Sequence, residues 1–206
     1  KRYFPYLLYT LFKKKFLYKI YNFIFFLYYL LLSMRETILI IIVIFSIFIF
    51  IFINKSEVIY IESYLDKKNY LVRNEKDKYE AANLLSNIMS RIHKLRSHLI
   101  KNYNSYNEFK PYIVRLKNNL VPGKTQVYET EPGSQYTSYS VNKGEELVFC
   151  LRSKEDNSLH DINLMMYVAL HEISHIACPE IGHTPLFKKI FAFFTEKASE
   201  LNLYNI

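Results

Sequence analysis

The chain has 206 residues, room for one domain plus attachments, and its composition is unusual in having Tyr 19 and Phe 16 against Gly 4 and no Trp. Its formal charge of +8 is lopsided: Lys1, Arg2, Lys13, Lys14, Lys15 and Lys19 meet no acid within residues 1–33, which leaves +2 for residues 34–206. That balance gives no argument for a nucleic-acid partner and points the basic end at anionic lipid headgroups instead, while the two cysteines, Cys150 and Cys178, exclude a four-cysteine zinc knot and read as buried apolar thiols.

The first methionine is Met34. Residues 1–33 are drawn almost wholly from Phe, Tyr, Leu, Ile, Lys and Asn, which reads as translated AT-rich sequence upstream of a start codon at Met34. Residues 37–53 (TILIIIVIFSIFIFIFI) carry no charge and span roughly 25 Å as a helix, enough for a single-pass transmembrane anchor. A cleaved signal peptide is the rival, but FIFIFINKSEV offers no small-residue cleavage site. A hairpin using residues 20–32 as a second, shorter apolar segment is the other alternative. Arg35 and Lys55 flank the anchor evenly and leave its orientation open.

Residues 55–135 read as a helical region and loop. A polar stretch, 55–74, either clears the headgroups or begins the fold. Leu84, Leu85, Ile88, Met89, Ile92, Leu95 and Leu99 then recur at three- and four-residue steps and predict a helix over about 75–102. His93 and His98 lie beside that stripe without metal-ligand spacing. A short helix is expected at about 111–120. Two Pro-Gly pairs make VPGKTQVYETEPGSQ a loop.

Residues 136–206 hold the expected catalytic core. YTSYSV and ELVFCLR, separated by NKGE with Asn142 and Gly144, predict a β-hairpin. Leu147, Phe149 and Leu151 point to one face of its second arm; Val148, Cys150 and Arg152 point to the other. Asp161 is a plausible N-cap for a helix from about 162 to 177, which Pro179 stops. A last helix follows over about 185–203 with Phe187, Ile190, Phe191 and Phe194 on its inner face.

The chemistry sits in HEISH. His171 and His175 are i and i+4 on the predicted helix, so both imidazoles share a face and can hold one zinc ion. Glu172 falls beside that metal rather than on it, placed to take a proton from water as general base. A catalytic zinc needs a third protein ligand. His183 is the natural one, because Pro179 and Gly182 mark a reversal that brings it back.

These residues resemble the WLM zinc metallopeptidases, which are related to the SprT-like proteases. The similarity covers roughly 139–187: the strand VNKGEELVFCLR, then LHEISH, then GHTPLF, where His183 is followed four residues later by an aromatic. The departure is the spacer. Seven residues, 176–182, separate His175 from His183, more than in the WLM pattern, whereas SprT-like proteins tolerate longer spacers before a Gly-His pair. The metzincin spacing is not met, since Cys178 and Ile181 stand where it requires other residues.

The resemblance implies an α+β zincin-like metallopeptidase domain, behind the transmembrane helix, that uses Zn2+ to hydrolyse peptide bonds in a protein or peptide substrate. Characterised relatives act on DNA-bound proteins, but the anchor and the balanced charge here argue against copying that substrate. Membrane-anchored relatives in large DNA viruses make a viral membrane the expected setting. The strand 146–152 is expected to accept an extended substrate, with Val148, Cys150, Arg152 and Tyr139 as substrate-binding residues. An oxyanion-stabilising side chain is open among Tyr136, Tyr139 and His160. The non-enzymatic alternative is a membrane-anchored scaffold whose zinc is structural or lost, and the retained Glu172 argues against it.

Overall fold

The computed structural model describes residues 4–53 and 57–206, with side chains over 18–50 and 57–206. It divides into two units, Lys1–Lys55 and Ser56–Ile206.

The first unit is one helix, α1 (Phe4–Ile53). Within it Tyr18–Phe50, 33 residues, is long and apolar enough to cross a membrane, and every side chain over 18–50 is exposed. At 1.5 Å per residue that stretch is about 50 Å, well beyond a hydrocarbon core of about 30 Å. The hairpin alternative fails here. Residues 20–53 contain no Gly or Pro to make a turn, and the helix runs straight through Arg35 and Glu36. The hydroxyls of Thr37 and Ser46 bond back to the helix's own carbonyls, Thr37 Oγ1 to Ser33 O and Met34 O, and Ser46 Oγ to Ile42 O, so these two need no water. The polar end of the apolar run at 54–56 lies outside the described residues, as do Lys1 and Arg2.

The second unit begins earlier than the polar composition of 55–74 suggests. That stretch folds as an antiparallel hairpin of β1 (Val58–Glu62) and β2 (Asn69–Arg73), burying Ile61, Tyr70 and Val72. A strand also lies inside the expected loop: β3 (Gln126–Glu129) pairs in parallel with β2 on one side. On its other side it pairs in parallel with β5 (Glu146–Phe149), which pairs antiparallel with β4 (Tyr139–Val141). The sheet therefore has five strands in the order β1-β2-β3-β5-β4, and three of them come from the region read as helix and loop.

Four helices complete the unit: α2 (Lys78–Lys101), α3 (Lys110–Asn119), α4 (Ile162–Ala177) and α5 (Pro185–Glu200). The stripe Leu85, Ile88, Met89, Ile92, Leu95 and Leu99 of α2 packs on the sheet and on α4. It meets Val72, Leu147 and Phe149 from the sheet and Met166, Leu170 and Ile173 from α4 in one core. Each fully buried leucine contributes about 2 kcal/mol. Leu147, Phe149 and Leu151 face that core as their alternation predicts. Cys178 is buried and Cys150 half-buried, both as free thiols.

Candidate active site

Helix α4 is set at both ends by local chemistry. Asp161 accepts hydrogen bonds from the backbone N–H of Asn163 (2.8 Å) and Leu164 (3.1 Å), satisfying two donors that a helix start leaves unpaired. Pro179 follows its last turn. Between these stops Met165, Met166, Ala169, Leu170, Ile173 and Ile176 are driven into the core. That rotation leaves His171 and His175, one helical turn apart, on a half-exposed face.

The third imidazole arrives by a reversal. Gly182 takes φ +83°, a conformation other residues resist, and is followed by His183. Thr184 Oγ1 then accepts from Phe187 N at 3.2 Å to cap α5, whose first residue is Pro185. The three Nε2 atoms meet at one point: His171 to His175 3.1 Å, His175 to His183 3.3 Å, His183 to His171 3.0 Å. Phe187 forms the floor. Its ring stacks on His175 at 4.1 Å and meets His171 and His183 edge-on at 4.9 and 5.0 Å. Among the described residues these three histidines form the group that can hold a metal ion.

Burial dominates the electrostatics. It holds His175 well below the usual imidazole range, at about 4, helped by His171, His183 and Lys143. Burial also lowers His171, with His183 adding to the effect. Both rings are thus neutral at pH 7 and present free lone pairs. Glu172, 6% exposed, is pushed up by burial to about 7.

A cleft of about 940 Å³ opens over the triad. Its walls include Tyr139 and Ser140 of β4, Lys143 in the β4–β5 turn, Cys150, His160 and Tyr167. The expected substrate strand needs correcting. β5 is paired on both edges, by β3 and β4, so it has no free edge for an added strand. The free edge beside the cleft belongs to β4.

The named substrate residues divide accordingly. Tyr139 lies on that edge strand and lines the cleft, as does Cys150. Val148 is 5% exposed, pairs with Tyr139 across the β4–β5 ladder and is not part of the cleft wall. Arg152 borders the cleft, but its guanidinium is committed to the interior. Nε donates to Glu129 at 2.7 Å and Nη1 to Asp77 at 2.8 Å, with both Arg152 and Glu129 buried. Removing one partner of such a buried pair costs about 3–5 kcal/mol, so Arg152 is a structural residue.

Of the three oxyanion alternatives, Tyr139 and His160 line the cleft. Tyr136, 72% exposed, does not line it and packs its ring against Tyr139 instead. The sequence reading missed Tyr167. It sits one turn before His171, lines the cleft, and is held against Phe191 at 5.3 Å. Its i−4 spacing from His171 was the available signal.

No protein-family model matches the chain. It is 47% identical over 150 residues to "Uncharacterized protein R325" of Acanthamoeba polyphaga mimivirus, covering 73% of this chain and 75% of that protein. It is 39% identical over 70 residues to uncharacterized protein 136R of Invertebrate iridescent virus 6, covering 33% of this chain and 39% of the relative. Uncharacterized protein 042R of Invertebrate iridescent virus 3 is 40% identical over 53 residues, 26% of this chain and 33% of the relative. Two crystal structures of Wss1 from Saccharomyces cerevisiae, one of a mutant, resemble the chain with TM-scores of 0.46 and 0.45. Each is 20% identical, and the matches cover 64% and 65% of this chain and 87% and 92% of theirs.

Proposed function

The chain belongs to the family of the mimivirus protein, and from that premise we propose that it is a membrane-anchored zinc metallopeptidase. His171, His175 and His183 hold the metal and Glu172 is its general base. The convergence of three Nε2 atoms at 3.0–3.3 Å carries this reading. Zn–N bonds of about 2.0–2.1 Å at tetrahedral angles place ligand nitrogens about 3.3–3.4 Å apart, so the donor set fits zinc with slightly compressed angles. Three imidazoles with one side left open to a cleft suit a catalytic site better than a closed structural one. Zinc held there would supply Lewis acidity to water and to the scissile carbonyl.

The protein's own groups do the rest. Glu172 is buried beside the triad with a carboxyl near neutrality. It is placed to accept a proton from water and to return it to the departing amine. The free edge of β4 accepts an extended peptide as an added strand, with Tyr139 and Cys150 along its path. Helix α1 anchors the domain through Tyr18–Phe50, and the viral origin of the relatives favours a viral membrane.

The test uses the full chain in detergent micelles, assayed for zinc content and for casein proteolysis. Wild type is expected to carry one zinc and cleave. Glu172→Gln is expected to keep its zinc and lose about 10²–10⁴-fold in rate. A fully active Glu172→Gln would remove Glu172 from the mechanism, and a wild type without zinc would sink the metallopeptidase reading itself.

A further inference from the structure

Resting on the zinc-site reading above, we infer that Lys143 is the positioning residue that carries His183 into the metal-binding triad. The loop bearing His183 has little else to hold it. Pro179, Glu180, Ile181, Gly182 and His183 are all exposed, Ile181 at 90%, so the loop buries no apolar anchor. Among the described residues, one hydrogen bond reaches the backbone of 179–183, from Lys143 to Glu180 O, and the same ammonium bonds two carbonyls at the end of α4. Lys143 Nζ donates to His175 O at 3.0 Å, Cys178 O at 3.1 Å and Glu180 O at 3.4 Å.

The three hydrogens of the ammonium thus meet three carbonyls. Those of His175 and Cys178 lie at the C-terminal end of α4, where helical carbonyls lack partners and the helix dipole attracts a cation. The third belongs to the spacer, three residues before His183. One side chain therefore ties the helix holding two ligands to the loop holding the third. The seven-residue spacer that departs from the family pattern is closed by a contact from outside it.

The β4–β5 turn is built to deliver that contact. Asn142, Lys143 and Gly144 take consecutive positive φ values of 47°, 57° and 120°, a costly conformation for the first two residues. A Cβ on Gly144 would lie 2.9 Å from Asn119 O, so the turn is pressed against the end of α3 and has little freedom to move. Lysine suits the task better than arginine, whose planar fork cannot converge on three carbonyls at separate angles.

The test titrates the full chain in detergent micelles with zinc against a chromophoric chelator, and records the visible spectrum of the cobalt-substituted protein. Wild type, Lys143→Met, Lys143→Gln and His183→Ala are compared, with melting temperatures of the metal-free forms. Lys143→Met is expected to bind zinc about 10–100-fold more weakly, the range found when groups supporting metal ligands are removed. Its cobalt spectrum should shift toward that of His183→Ala, while the metal-free melting temperature stays near wild type. Lys143→Gln keeps two donors on an uncharged amide and should fall between. A merely stabilising lysine would lower the metal-free melting temperature and leave zinc affinity and cobalt spectrum alone; that result overturns the inference. Should Lys143→Met not fold, wild-type affinity in Lys143→Gln overturns it equally. A wild type that binds no zinc defeats the metallopeptidase reading first, and this inference with it.

Discussion

Helices α2 and α4 each carry two half-buried histidines beside an apolar stripe, yet only α4 makes a site. On α2, His93 and His98 are five residues apart and so project about 140° from each other. They serve separately: His98 Nε2 lies 3.2 Å from the Tyr106 hydroxyl, and His93 Nδ1 is buried without a partner. Burial first, then Arg96 and Lys68, depresses the His93 imidazole. On α4, His171 and His175 are four apart, about 40° around the axis, and a returning loop adds His183 to the pair. One residue of spacing, together with a chain reversal, separates two packed side chains from a group of three imidazoles that could hold a metal ion.

That contrast can be broken by removing one ring at a time. His175→Ala in the full chain is expected to leave the purified protein with essentially no zinc and no proteolysis, whereas His93→Ala and His98→Ala keep one zinc each. Zinc loss in either α2 variant would erase the distinction. Metal content after dialysis against a weak chelator reads it directly.

A smaller effect is expected from the charge buried beside the triad. In the metal-stripped protein Glu172 titrates near 7 rather than 4.5, so between those values the folded form holds a proton that the unfolded chain has released. Its burial is therefore harmless below about pH 4.5 and increasingly costly as the pH rises through 7, reaching about 3 kcal/mol. Metal-stripped Glu172→Gln should be more stable than wild type by up to that amount at pH 8, and the gap should shrink toward pH 4.5 in urea titrations. A gap independent of pH would show that the carboxyl titrates normally.

The α2 histidines should respond least. His98→Ala loses a hydrogen bond to Tyr106 and is expected to cost about 1 kcal/mol. His93→Leu replaces an unsatisfied nitrogen with hydrocarbon and is expected to be neutral or stabilising by about 1 kcal/mol. Thermal melts of both variants decide between them.

The legible parts of the chain were those specified by neighbours in sequence. Asp161 and Pro179 bracket α4, and its bounds follow; the apolar steps of α2 announce it as a helix. The β4–β5 hairpin was visible through Asn142 and Gly144. β3 was not, because QVYE is four residues between two Pro-Gly pairs and becomes a strand only by pairing with β2 and β5, distant in sequence. The same distance hid the free edge: alternation along 146–152 shows which side chains face inward but not which strands lie alongside. His171, Glu172 and His175 were readable from one helical turn. What seats His183, an ammonium 40 residues upstream, was not.

Strand β4 is three residues long, about 10 Å of available edge. A segment lying along it must already have given up its own helix or sheet pairing, because its backbone groups cannot serve two partners. Under the proposed peptidase activity a tightly folded neighbour would be spared, and a loop or a loosened terminus would not. On the peptidase reading proposed above, the rate at which any target is cut would follow how often that target opens locally, which would make this chain a gauge of disorder in the proteins around it.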